Sequence, residues 1–423
     1  MSGGEHLPTP TEPISAADAP SSRTPEASDL RARERQEGWA VPIDRIDAFT
    51  LGAAIAVEPD RIEAELMGLW RKAAERARAE GARFSVTRAC LWNLIVHSEG
   101  EEEFLRTKRV IDEMSETVPA RIISLHETMD APELPAAADS PIRAFVEANF
   151  RRSGSGRREV VAEEITLEAA RTSGPRLPGL VRSLLLADVP TALLVRNPSP
   201  DSAWLARLAP EVERLIFDSA TLDGGAAILR LSALLRRLYR EDRTGALAHV
   251  DIVDLGWLRL GPWRTLVASL FDSPDATRAL RDLSEIAIHY AQGGEAAALL
   301  VAGWLCGRLR LRWQATHEQG LFTVSTAAGR HVHLRMVPVA ASDAPAGVDR
   351  VELRCGVQLF SAHSQGENRC IALSSPLQPE RVQPVHGRPD SELMVAAMGV
   401  GGRDPLMYEA LRLSAQLVRG GGT

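Results

Sequence analysis

The stretch DLGWLRLGPWRTL, residues 254–266, brings together two tryptophans, Trp257 and Trp263, two arginines, Arg259 and Arg264, and one carboxylate, Asp254. Tryptophan and arginine are the types most often found at binding hot spots. Catalytic chemistry is poorly supplied there: Asp254 is the one base and Thr265 the one nucleophile, with no histidine between them. Asp218-Ser219 closes an apolar run and offers a hydroxyl, again with no histidine marked to activate it. His331 and His333 stand two apart on an alternating run, a spacing that can hold a metal. No third ligand accompanies them, and Arg335 on the same face repels cations, so no metal is assigned. With Arg350, Arg354 and Arg369 these residues make a basic face on a chain of net charge −7. Such a face suits an anionic ligand or an acidic protein surface, and equally a solvated sheet face.

Other motifs carry less. Gly293-Gly294 precedes a helix and could cradle an anion, but Glu295 opposes the charge, so a tight turn is expected. RRSGSGRRE, residues 151–159, lacks the lead-in strand and Lys-Ser/Thr signature of a phosphate loop and reads as an exposed, mobile basic loop. Cys90, Cys306, Cys355 and Cys370 form no CxxC pair and no zinc spacing; they are expected buried and reduced, with Cys90 and Cys355 on strand-like runs. No G-x-S-x-G, H-E-x-x-H, Walker or G-x-G-x-x-G motif occurs. No catalytic residue and no cofactor are therefore expected.

The elements that position these residues alternate. A helix begins near Pro59. The apolar runs at 89–97 and 121–125, with a helix between them, form a right-handed βαβ unit. Strands follow at 159–169, 191–197 and 214–219, with a short helix running to Pro190 and another at Trp204–Leu208. From residue 321 the pattern becomes period two: Val332, Leu334 and Met336 face one way, His331, His333 and Arg335 the other. The expected fold is α/β: an N-terminal mainly parallel sheet with flanking helices, then a C-terminal α+β domain with an antiparallel sheet covered on one face. The expected boundaries are a disordered Pro/Ser/Ala-rich tail at 1–45, an N-terminal domain at 46–222 and a C-terminal domain at 223–423. Gly261-Pro262 starts a helix that buries Trp263, and Asp404 with Pro405 caps the last helix. The acid balance argues against nucleic acid as a partner. No apolar run reaches the ~18 residues that span a bilayer and no leader pattern opens the chain, so a cytoplasmic protein is expected.

The order of segments resembles the glucose-6-phosphate dehydrogenase assembly protein family, OpcA. The resemblance runs from about Glu58 to Val418. It rests on LWNLIVH and VPARIISL, the element Leu184–Pro190, Ile216–Ser219, the D-L-x-W-x-R-L-x-x-W-R element from Asp254 to Arg264, AGWL at Ala302–Leu305 and YEAL at Tyr408–Leu411. It implies a non-catalytic factor that binds glucose-6-phosphate dehydrogenase and favours its active oligomer in the oxidative pentose phosphate pathway. Trp257, Arg259, Trp263 and Arg264, with His331, His333, Arg335 and Arg354, are the expected partner-binding residues, although Trp263 also fits a core anchor. Two departures stand out. Val195-Arg196 replaces a Trp-Trp pair seen in many relatives, and the tail is long. The cysteines match no family pair, so thioredoxin regulation is not carried over. The residues alone leave open a sugar-phosphate sensor or enzyme with an arginine-lined anion site, or a general protein scaffold.

Overall fold

In the computed structural model, residues 48–79, 90–128, 142–152, 158–170, 176–196, 202–222, 224–241, 249–318, 320–340, 347–365, 370–399 and 401–420 are described. The expected tail, Arg369 and the tip of the 151–159 loop lie outside them. The first sheet contains β1 (Ala48–Val57), β2 (Trp92–Glu99), β3 (Ala120–Thr128), β4 (Ile142–Arg152), β5 (Arg158–Ala170), β6 (Thr191–Val195), β7 (Arg214–Phe217) and β8 (Asp251–Asp254). The second contains β9 (Leu283–Tyr290), β10 (Arg312–Glu318), β11 (Leu321–Ser325), β12 (His331–Pro338), β13 (Val348–Cys355), β14 (Gln358–Gln365), β15 (Cys370–Ser375) and β16 (Gln378–Pro384). The helices are α1 (Ile62–Ala79), α2 (Glu101–Ser115), α3 (Leu177–Leu184), α4 (Ala203–Leu208), α5 (Gly224–Glu241), α6 (Leu255–Arg259), α7 (Gly261–Ser269), α8 (Pro274–Ala279), α9 (Glu295–Arg308), α10 (Asp390–Gly399) and α11 (Pro405–Gly420).

The first sheet has the order β1-β4-β5-β3-β2-β6-β7-β8. From β5 to β8 every neighbouring pair is parallel; β1 and β4 add an antiparallel edge. Counted along the chain, the parallel strands stand 3-2-1-4-5-6, the doubly wound order of dinucleotide-binding folds, with its switch point between β2 and β6. Their apolar runs are continuous because both faces are covered. Ile95, Leu125, Leu193 and Leu215 join the core that continues to the second sheet. Leu94, Ile122, Leu194 and Ile216 meet Met114 of α2 and Leu393, Met394 and Ala397 of α10 on the other face.

The second sheet, β10-β11-β12-β9-β13-β14-β15-β16, is antiparallel except where β12 runs parallel to β9. On β12, Val332, Leu334 and Met336 are buried while His331, His333 and Arg335 are exposed, which is the alternation expected of a sheet covered on one face. Helix α9 is buried from Ala296 to Cys306 and supplies that cover. It crosses α11 at glycine: a Cβ on Gly303 would stand 2.2 Å from the Ala410 carbonyl oxygen. Gly294 meets Gly347 as closely. The expected Gly293-Gly294 turn is therefore set by backbone approach, with Gly293 at φ +79°.

Several sequence expectations change. Strands β1, β4, β8, β10 and β16 were not read from the sequence, and RRSGSGRRE joins β4 to β5, which pair as far as Arg152 and Arg158. The helix expected to reach Pro190 ends at Leu184, because the Asn93 side chain holds the following segment. Its amide donates to the Leu186 and Val189 carbonyls and its oxygen accepts from Leu186 N–H. Cys90 precedes β2 rather than lying on it; Cys306 and Cys355 are buried, and Cys90 and Cys370 are half-buried. The first sheet draws β8 from beyond residue 222, and the helices between the sheets pack with both.

Candidate functional site

The carboxyl ends of β7 and β8 carry two buried aspartates. Asp254 ends β8 and caps α6: its carboxylate accepts from Ser219 N–H at 2.8 Å, Ser219 Oγ at 2.7 Å, and the N–H groups of Gly256 and Trp257 at 3.2 Å each. Burial raises its pKa and the Ser219 bonds oppose the rise. The Ser219 hydroxyl is buried and spends its proton on Asp254, so it is a brace rather than a nucleophile. Gly256 is needed because a Cβ there would stand 2.2 Å from that hydroxyl.

Asp218, wholly buried, takes a two-pronged hydrogen bond from Arg259, with Nη1 at 2.6 Å and Nη2 at 2.9 Å. The same Nη2 donates to Asp390 of α10 at 2.8 Å, and Arg196 reaches Asp218 at 3.5 Å. Burial works against the charge on Arg259, but the two aspartates more than compensate and hold its pKa above the usual arginine range. Trp257 and Trp263 are each 1% exposed and share the main core. Trp257 Nε1 donates to Asp404 Oδ2 at 2.7 Å, while Asp404 Oδ1 caps α11 through Leu406 and Met407 N–H, as its cap position suggests. Arg264 lies 3.4 Å over the Trp257 ring and donates to the Trp257 carbonyl at 3.0 Å; burial pushes its pKa down to about 10. The sequence thus brings Trp257, Arg259, Trp263 and Arg264 together, inside a joint between strand ends and helices.

The switch-point crevice does not suit the dinucleotide that its strand order implies. Where a glycine-rich turn would meet a pyrophosphate, the chain reads Ser98-Glu99-Gly100-Glu101-Glu102-Glu103, with three acids in the first turn of α2. Those carboxylates oppose a phosphate at the helix N-terminus. Beside it, the carboxyl ends of β2 and β3 gather His97, Glu99 and Glu127, a trio missed from the sequence because Glu127 lies 28 positions beyond Glu99, on a second strand. The parallel run with Asn93 ↔ Arg121 register is what makes them neighbours.

The second candidate surface is the open face of the second sheet. His331, His333, Arg335, Arg350 and Arg354 are all exposed on β12 and β13. The face is less purely basic than its arginines suggest. Arg335 and Arg354 both pair with Glu285 of β9, Arg350 lies 3.5 Å from Glu352, and His289 lies 3.5 Å from Glu352. No His331–His333 metal group appears among the described residues.

Comparison with known families decides the lineage. Residues 111–233 match the glucose-6-phosphate dehydrogenase subunit N-terminal domain, and residues 250–411 match the corresponding C-terminal domain. The chain belongs to this family. Among relatives, whose names place them in the OxPP cycle as OpcA, a Nostoc punctiforme protein is 31% identical over 50% of this chain and 42% of its own length. A Synechococcus elongatus protein is 26% identical over 71% of this chain and 68% of its own length. The chain therefore spans less than half the length of the Nostoc relative. Among solved structures, an oxidoreductase from Sinorhizobium meliloti has a TM-score of 0.42 at 9% identity, covering 79% of this chain and 96% of that one. An NAD binding oxidoreductase from Klebsiella pneumoniae also scores 0.42 at 11% identity, covering 78% and 96%. A likeness at that level says nothing of activity.

The segments that carry the OpcA resemblance meet one another in space. Arg121 of VPARIISL is buried; it donates to Glu163 at 2.9 Å and to the carbonyl of Leu184, which opens the Leu184–Pro190 element. Asn93 of LWNLIVH grips the same element. Ile216–Ser219 is tied to Asp254–Arg264 by Arg259–Asp218 and Ser219–Asp254. AGWL meets YEAL at Gly303 and Ala410. In OpcA terms, the family signature is a set of internal joints.

Proposed function

We propose that this chain is a non-catalytic assembly factor for glucose-6-phosphate dehydrogenase, acting in the oxidative pentose phosphate pathway. The carrying observation is that both its halves match, in order, the two domains named for a subunit of that enzyme. The dehydrogenase meets the open face of the second sheet, through His331, His333, Arg335 and Arg354. Supporting this is the exposure of these four residues, while the tryptophan–arginine element is committed to internal contacts. Trp257, Arg259, Trp263 and Arg264 act indirectly, by fixing the strand ends against α10 and α11. Activation then follows from linkage: the factor binds the active oligomer of the dehydrogenase more tightly than its other states, so it shifts the population toward that oligomer.

The test uses the purified chain and the dehydrogenase of the same organism. Co-elution, with a larger active fraction of the dehydrogenase, is the expected result. A dehydrogenase whose elution, oligomer size and rate are all unchanged by excess factor overturns the proposal.

A further inference from the structure

The carboxyl ends of β2 and β3 carry a feature that assembly does not require. The ligand atoms of His97, Glu99 and Glu127 all lie within 4.8 Å of one another. They share a face because β2 and β3 are parallel with Glu99 opposite Glu127, and residues two apart on a strand point the same way. His97 is 1% exposed, its ring packed against Trp204 at a centroid distance of 4.3 Å. Among the described residues neither ring nitrogen has a hydrogen-bond partner, although Nε2 stands 3.5 Å from Glu127 Oε2. Glu127 is buried as well. A buried imidazole with both nitrogens unmet calls for an explanation.

We propose that His97, Glu99 and Glu127 bind one divalent cation of the zinc, cobalt or manganese class. Two ligand atoms bound about 2.0–2.2 Å from a tetrahedral ion stand roughly 3.4 Å apart, which matches the Nε2–Oε2 separation better than a hydrogen bond does. One neutral imidazole and two carboxylates balance a double positive charge, and a nitrogen–oxygen donor set suits these borderline ions. Glu103, whose Oε1 has no hydrogen-bond partner among the described residues, accepts from the Glu99 backbone N–H at 3.3 Å, so it steadies one ligand. The ion bridges the carboxyl ends of β2 and β3, and there it offsets the acids that open α2. This departs from the sequence-based expectation of no metal, and it stands apart from the assembly proposal.

The experiment strips the full chain with chelator, then titrates it with Co²⁺ and follows visible absorption, and separately records thermal unfolding with and without Zn²⁺. The expected result is a cobalt band saturating at one equivalent per chain, and a higher unfolding midpoint with zinc. His97→Ala removes both. Should that variant fail to fold, Glu99→Gln, at a half-buried strand end, weakens cobalt binding by more than the roughly tenfold that losing a ligand's outer support costs. Replacing both exposed histidines, His331→Ala with His333→Ala, leaves the band intact. Two results overturn the proposal. One is a folded wild-type chain with no band and no midpoint shift. The other is a band that survives Glu99→Gln but vanishes with the His331 and His333 replacements.

Discussion

The joint at the ends of β7 and β8 and the open face of the second sheet use the same chemistry, arginine against carboxylate, in opposite settings. At the joint, Arg259 is 17% exposed and Asp218 not at all, and each prong of their contact is under 3.0 Å. On the open face, Arg335 is 51% and Arg354 48% exposed, and both share a single carboxylate, Glu285. A desolvated pair cannot be opened cheaply, because the survivor is left as a buried charge. An exposed pair is worth about 0–1 kcal/mol and can exchange partners. The difference assigns stability to the first region and leaves the second free to meet another protein.

Four variants would break or sharpen that contrast, in descending order of effect. Arg259→Ala strands Asp218 in the core with Arg196 at 3.5 Å as its remaining counter-charge among the described residues and the Ala220 N–H at 3.2 Å, and should cost about 3–5 kcal/mol in denaturant unfolding. A loss under about 1 kcal/mol would move Arg259 to the surface role its sequence context suggested. Asp404→Ala removes both the α11 cap and the acceptor for Trp257 Nε1. A cap is worth about 0.5–2 kcal/mol and an unmet buried donor about 1–3, so equilibrium unfolding should show roughly 2–4 kcal/mol lost. Gly303→Ala presses a methyl on the Ala410 carbonyl and should cost about 1–3 kcal/mol, read as a lower thermal midpoint; an unchanged midpoint would mean α9 and α11 part more easily than their packing implies. Arg335→Glu with Arg354→Glu should shift stability by no more than about 0.5 kcal/mol by the same measure.

Much of the first sheet was legible in the sequence. LWNLIVH and RIISL read as strands because continuous apolar runs belong to strands covered on both faces. The turn at Gly261-Pro262, the capping Asp404 and the alternation of β12 were equally plain, since each is a local pattern with a local cause. Strands β4 and β16 were not: β4 mixes Arg, Glu and Asn with its apolar residues, and β16 is a mostly exposed edge held by its pairing with β15. The candidate sites divide the same way. The tryptophans and arginines of 254–266 were found, but their direction was not. That Arg259 points at Asp218 depends on two strand ends brought together by parallel pairing. His97, Glu99 and Glu127 escaped notice for the same reason, since no single window holds them all.

The most direct test of the central claim titrates the dehydrogenase with wild-type chain and with the Arg335→Glu, Arg354→Glu variant, by sedimentation velocity at fixed salt, beside unfolding curves for both. If the open face carries the partner, the variant should unfold like wild type and bind at least about tenfold more weakly, the effect of losing about 1.4 kcal/mol of interface free energy. A variant that unfolds normally and binds the dehydrogenase as tightly as wild type would contradict the account.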